Sequence, residues 1–174
     1  MTAEPANVSE RPGSAREREV WEILADVPDP EIPVLNVVDL GIIRYVRLRG
    51  ADRVTVGVSP TYTGCPATEV IANAIRSRLE AEGFREPKVE SVLAPAWTSD
   101  WLTDSARAKL EEYGIAPPAH SVSNPKHLWR EPQVACPRCA STQTSKVSEF
   151  ASTPCKALYR CATCLEPFEY FKCI

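Results

Sequence analysis

The stretch RVTVGVSPTYTGCPATEVIANAIRSRLE, residues 53–80, decides how the chain is read. From Arg53 to Ser59 the residues alternate, with Val54, Val56 and Val58 on one face, the period of a half-buried strand. From Ala67 the apolar residues Val70, Ile71, Ala74, Ile75 and Leu79 recur at helical spacing, with Glu69, Asn73, Arg76 and Glu80 opposite. Pro66 suits a first helical position, where its missing N–H costs nothing. This predicts Cys65 at the N-cap, where free amides and the helix dipole favour a thiolate. A thiol of that kind is a nucleophile or a soft-metal ligand, and the alternative reading is a small buried packing residue.

Outward from this strand–loop–helix unit, Ile42–Arg49 and Arg53–Ser59 flank Gly50–Ala51–Asp52 and predict a hairpin. Arg47 and Arg49 alternate with Val46 and Leu48 and are expected on a solvated face. Gly83 is a natural stop for the helix. Lys88–Leu93 then predicts a third strand, reached through a helix and therefore parallel to the second. Thr103–Tyr113 predicts a further helix ending at Gly114. Ahead of the hairpin, Ser14 and Glu17 have capping-box spacing before a helix carrying Val20, Trp21, Leu24 and Val27. That helix must end at Val27–Pro28–Asp29–Pro30–Glu31–Ile32–Pro33, where prolines cannot continue it. This loop is a rigid turn on one reading. On the other, Asp29 and Glu31 line the Cys65 site, since ligands of open α/β sheets bind beyond the carboxyl ends of parallel strands. The fold expected is α/β, a small mixed sheet with helices packed on it, followed by a C-terminal zinc-ribbon-like β domain. The boundaries read as a polar, disordered 1–13, a domain over 14–114, a Pro-rich linker over 115–133 and a ribbon over 134–174. His120 and His127 fall in the linker without partners at ligand spacing and read as surface residues.

Bulk composition narrows the function. At 174 residues, 44% hydrophobic and 25% charged, the chain is of soluble globular type. No apolar run approaches the roughly 20 residues of a membrane helix. The N-terminal MTAEPANVSERPGSARE lacks a signal core, so a cytoplasmic location is expected, without membrane contact. A net charge of −3 argues against nucleic acid. Seven cysteines, six of them from Cys136 onward, point to metal rather than to a disulfide framework.

Cys136–Pro–Arg–Cys139 and Cys161–Ala–Thr–Cys164 are two CxxC pairs, able to set four thiolates around one tetrahedral ion. Their flanks are Pro, Thr and short β-type runs rather than the start of a helix, which opposes a thioredoxin-like redox role. Zinc is expected, in a structural role, because so short a tail buries too little apolar surface by itself. A rubredoxin-like iron site is the other metal reading. If Lys156–Arg160 pairs with Phe168–Lys172, then Cys155 and Cys173 come nearly opposite. They could form a disulfide, ligate a second metal or cluster, or simply pack.

The segments DPEIPVLNVVDLGII and SPTYTGCPATEV together resemble the SufT-like iron–sulfur assembly domain. The tail, CPRC through SEFASTPCKALYRCATCLEPFEYFKCI, resembles the PaaD (PaaJ) family of accessory proteins of the multicomponent phenylacetyl-CoA epoxidase of phenylacetate catabolism. The resemblance covers residues 17–174. It implies a non-catalytic factor for iron–sulfur cluster assembly or insertion in that system, with the oxygenase and reductase subunits as partners and the reductase component as client. Carried onto this chain, the family motifs fall on Cys65, Asp29, Glu31 and Asp39. Thr61 and Thr63 are placed beside the thiol, a transient Fe or Fe–S cluster is the cargo, and the four knuckle cysteines hold the structural metal. A structural component of the oxygenase complex is the alternative. A thiol enzyme acting on a CoA ester would need a base that the sequence does not pair with Cys65. The oligomeric state is left open, with a homodimer as one arrangement.

Overall fold

The computed structural model describes residues 13–62, 64–118 and 133–172. Of the residues singled out above, Thr63, His120, His127 and Cys173 lie outside them, as do residues 1–12 and most of the 115–133 segment. The chain divides between Thr103 and Asp104 into two compact units.

In the first unit, helix α1 (Ala15–Ala25) leads to strands β1 (Ile43–Arg49) and β2 (Arg53–Val58), helix α2 (Ala67–Ala81) and strand β3 (Lys88–Ser91). The sheet order is β1-β2-β3, with β1 antiparallel to β2 and β3 parallel to it. This is the expected mixed sheet. Helix α1 packs on α2 and β1, and α2 on β3. Val20 and Leu24 of α1, Ile71, Ile75 and Leu79 of α2 and the valines of β2 are all buried, forming a core from which water is excluded. Gly83 takes φ +88° just past α2, the left-handed stop its position predicts. The capping box is also present. Ser14 Oγ accepts from the Glu17 N–H at 3.1 Å, and Glu17 Oε2 accepts from the Ser14 and Gly13 amides at 2.9 and 2.7 Å.

These amides, Ser14 first and Gly13 second, hold the Glu17 carboxyl below its ordinary range. A carboxyl whose folded pKa is depressed stabilises above its unfolded value, near pH 4.3, and loses that contribution as pH falls through the folded value. Ser14→Ala, which removes the hydroxyl but keeps both amides, should cost about 1 kcal/mol at neutral and acid pH alike, whereas Glu17→Gln should destabilise at neutral pH with the difference from wild type shrinking in acid. Denaturant midpoints for wild type and both variants at neutral and acid pH check this.

The second unit begins with helix α3 (Asp104–Tyr113) and strand β4 (Ile115–Ala116). Strands β5 (Thr144–Ser148), β6 (Lys156–Cys161) and β7 (Pro167–Phe171) follow. Their order is β4-β7-β6-β5, and Lys156↔Phe171 through Arg160↔Pro167 is the antiparallel pairing expected for the tail. The sequence pattern instead grouped α3 with the first domain and began a linker at 115. Ile115 and Ala116 pair in parallel with Glu169 and Tyr170, which draws α3, packed on β4, into the tail's unit. Tyr159 lies against Phe168 and edge-on to Tyr170, ring centroids 5.9 and 5.5 Å apart, at the centre of this unit's core.

Candidate functional site

The loop after β2 is anchored at its mouth. Ser59 donates its N–H to the Ile42 carbonyl and its hydroxyl to the Val92 carbonyl, both at 2.8 Å, and the Val92 N–H returns to Val58 at 2.8 Å. Strand ends β1, β2 and β3 therefore meet where the chain leaves for Cys65. The helix starts one residue later than the sequence predicts. Pro66 is the N-cap, and Cys65 sits just outside, its carbonyl accepting the Thr68 N–H at 3.2 Å. Pro66 itself has helical φ and ψ and offers no side-chain cap. Gly64 has φ +83° with open space where a Cβ would lie, and the neighbouring Cys65 is half-buried. Thr61 and Tyr62 are half-buried in the same loop.

The acidic residues of the preceding segment brace the backbone. Asp29 Oδ1 accepts from the amides of Glu31 and Ile32 at 2.9 and 2.7 Å, so the proline loop is a rigid turn closed by a side chain. Asn36 Oδ1 accepts from Val38 and Asp39 at 3.0 and 2.7 Å, and Asp39 Oδ2 accepts from the Asn36 N–H at 3.3 Å. Thr103 Oγ1 donates to Asp39 Oδ1 at 3.5 Å. Asp29 and Asp39 are buried, and Glu31 is half-exposed.

In the second unit the four knuckle cysteines converge. Cys136 and Cys164 have their sulfurs 3.7 Å apart, Cys139 and Cys161 theirs 3.6 Å apart, and all four lie within 4.8 Å of one another. An ion with four Zn–S bonds of about 2.3 Å at tetrahedral angles needs sulfurs roughly 3.8 Å apart; two of the pairs already stand near that spacing and the rest lie within about an ångström of it. The two knuckles repeat one design. In each, the first cysteine's N–H reaches a carbonyl five residues on, Cys136 to Ser141 at 2.9 Å and Cys161 to Glu166 at 3.0 Å. Each turn passes through a left-handed residue, Ala140 or Leu165. The amides of Cys164 and Thr163 point at Cys161 Sγ, at 3.5 and 3.4 Å. They draw the Cys161 thiol down to about 6, with neighbouring sulfurs adding and burial opposing. Cys164 also receives an amide, from Glu166, but burial and the adjacent sulfurs outweigh it and push its thiol up to about 12. One negative charge is thus favoured and further ones repel, which is the demand a dication meets.

Cys155 is buried, its sulfur 3.0 Å from the Thr153 hydroxyl, and its carbonyl accepts the Lys172 N–H at 3.0 Å. Sequence reasoning assigned nothing to Lys156, which is almost fully buried and pairs with Glu169 Oε2 at 2.8 Å across the β6–β7 hairpin. A lysine heading the short run Ala157–Leu158–Tyr159 was its one signal.

Comparison with known proteins meets this geometry at both ends of the chain. The model of the iron–sulfur cluster assembly protein family matches residues 17–93, and that of the PaaD zinc beta ribbon domain matches residues 121–172. An Escherichia coli (strain K12) protein, provisionally named as a component of the 1,2-phenylacetyl-CoA epoxidase, is 54% identical over 90% of this chain and 92% of its own length. The chain belongs to the PaaD family. Its first unit is shared more widely. An Fe–S protein maturation auxiliary factor of Porphyromonas gingivalis is 35% identical over 54% of this chain and 90% of its own. Among solved structures, a domain of unknown function from Bacillus anthracis superposes with a TM-score of 0.50 at 24% identity, over 54% of this chain and 90% of that one. That likeness establishes the fold of the first unit. The PaaD zinc ribbon and the four converging sulfurs together make the tail a metal-binding module. No helix among the described residues is long and apolar enough to cross a membrane.

Proposed function

We propose that this PaaD-family chain is a non-catalytic maturation factor that assists cluster assembly or insertion in the phenylacetyl-CoA epoxidase, acting on its reductase component. The observation that carries the reading is Cys65, half-buried on the loop that leaves the meeting point of three strand ends, inside the segment matched by the iron–sulfur assembly family. Thiolates suit iron and iron–sulfur clusters. A single reachable sulfur suits transient hand-over better than storage, which needs about four ligands. In this reading Thr61 and Thr63 flank the cargo and the carboxylates of Asp29, Glu31 and Asp39 shape its surroundings, Asp29 and Asp39 by bracing their own turns. Val70 of α2 and Leu93, two residues past β3, are 54% and 70% exposed and give a client apolar side chains to rest on. The tail holds zinc as a structural ion, and its sheet presents a second surface to the client.

In cells grown on phenylacetate, Cys65→Ala should leave the chain folded and abundant yet lower the cluster content of the reductase, and epoxidase turnover with it, several-fold. Unchanged cluster content with Cys65→Ala would remove the thiol from the mechanism. Recovery of the chain in fixed ratio with the oxygenase proteins, whatever residue stands at 65, would instead make it a structural part of the complex, as the name of its E. coli relative suggests.

A further inference from the structure

Two arginines of the described residues are buried, Arg44 and Arg107. Arg107 donates to the Pro118 carbonyl. Arg44, 3% exposed, has no hydrogen-bond or ion-pair partner among the described residues, and its Nη1 is wholly enclosed. It is the extra residue where β1 shifts register between Ile43↔Val58 and Tyr45↔Gly57, the kind of irregularity that re-aims a side chain. Its guanidinium lies over the Trp101 ring, 3.7 Å from the centroid. That ring is itself held in place. Trp101 closes a short turn capped by Thr98, its N–H reaching the Thr98 carbonyl at 3.0 Å, and Gly41 leaves its backbone the room it occupies.

Stacking satisfies a face of the guanidinium but none of its N–H groups, which lie in the plane. Burial alone acts on its proton affinity, lowering it, and no carboxylate of the described residues acts in the other direction. A water molecule would fill a hydrogen bond but leave the charge uncompensated. We propose that Arg44 is an oxyanion-binding residue, taking a carboxylate or phosphate group on the N–H fork that Trp101 holds in a fixed plane. The planar fork matches both groups bidentately. The site is independent of Cys65, although the strand end that carries it is tied by the Ile42 carbonyl to Ser59, where the Cys65 loop begins.

The test uses the full metal-loaded chain. Inorganic phosphate and citrate are titrated separately at constant ionic strength against chloride, while the thermal midpoint and the Arg44 Nε–Hε resonance are followed. A ligand that binds only the folded state raises the midpoint as its concentration passes its Kd. We expect a saturable rise of a few degrees with at least one anion, and a matching shift of the Arg44 resonance. The rise should be lost in Arg44→Gln and reduced in Arg44→Lys, which keeps the charge without the fork. Response to phosphate alone would identify a phosphorylated ligand, and response to citrate alone a carboxylate from a metabolite or client side chain. Equal shifts in wild type and Arg44→Gln, or an unmoved resonance with both anions, would overturn the assignment. The resonance is read on wild type, so an unfolded variant does not blunt the test.

Discussion

Cys161→Ser is expected to release the bound ion and unfold the second unit while leaving the first unit folded. Cys161 is fully buried, its sulfur takes two backbone amides, and its side chain belongs to the small core formed with Tyr159, Phe168 and Tyr170. Serine offers a harder, shorter ligand and leaves three sulfurs around an ion that structural sites hold with four. Structural zinc contributes about 10–16 kcal/mol to the folding of small modules, as much as the roughly 5–15 kcal/mol by which whole domains are usually stable. The loss should therefore be complete rather than graded. Elemental analysis should fall from about one ion per chain to near none. Amides of β5, β6 and β7 should exchange as in an unfolded chain, while those of β2 and α2 keep wild-type protection. If the tail amides stay protected both in Cys161→Ser and after chelation of the wild type, the ion is not what holds the ribbon together.

That separation reflects how differently the two halves could be read beforehand. Local patterns carried the first unit. The valines at 54, 56 and 58, the helical recurrence from Ala67 to Leu79 and the Ser14–Glu17 box each specify their element within a few residues, and each stands in the structure. The metal cysteines were legible for a related reason, since CxxC spacing is itself a local geometry. What escaped was non-local. Two residues, Ile115 and Ala116, have no period of their own and become a strand only against β7. Arg44 reads in sequence as a charge interrupting Ile42–Ile43 and Tyr45–Val46, and only the fold places Trp101 over it. Asp29 shows the opposite outcome. The rigid turn its prolines suggest is what its carboxylate closes, through amides two and three residues along the chain.

Gly41→Ala should be the most damaging small substitution in the first unit, costing about 2–5 kcal/mol as the sum of backbone strain and overpacking. Gly41 has φ +65°, a region where an added Cβ costs roughly 1–2 kcal/mol. That Cβ would also lie 2.3 Å from the Trp101 carbonyl oxygen and 2.9 Å from its carbonyl carbon. Both atoms are backbone, so no rotamer change relieves the clash; the 98–103 turn must move or Gly41 must. The turn resists, because Trp97 Nε1 donates to the Leu40 carbonyl at 2.9 Å and the Thr103 N–H to the Asp39 carbonyl at 3.1 Å, fastening it on both sides. Gly50 supplies the control. It has φ +72° with nothing within 4 Å of its Cβ position, so Gly50→Ala carries the backbone strain without the clash. Denaturant midpoints of the two variants should therefore differ by about 1–3 kcal/mol, with Gly41→Ala the weaker. The Arg44 Nε–Hε resonance should move in Gly41→Ala and stay put in Gly50→Ala, since displacing Trp101 removes the surface on which that guanidinium rests. Equal losses in the two variants would mean that the strand start does not press on Trp101, and the fixed plane assigned to Arg44 would go with it.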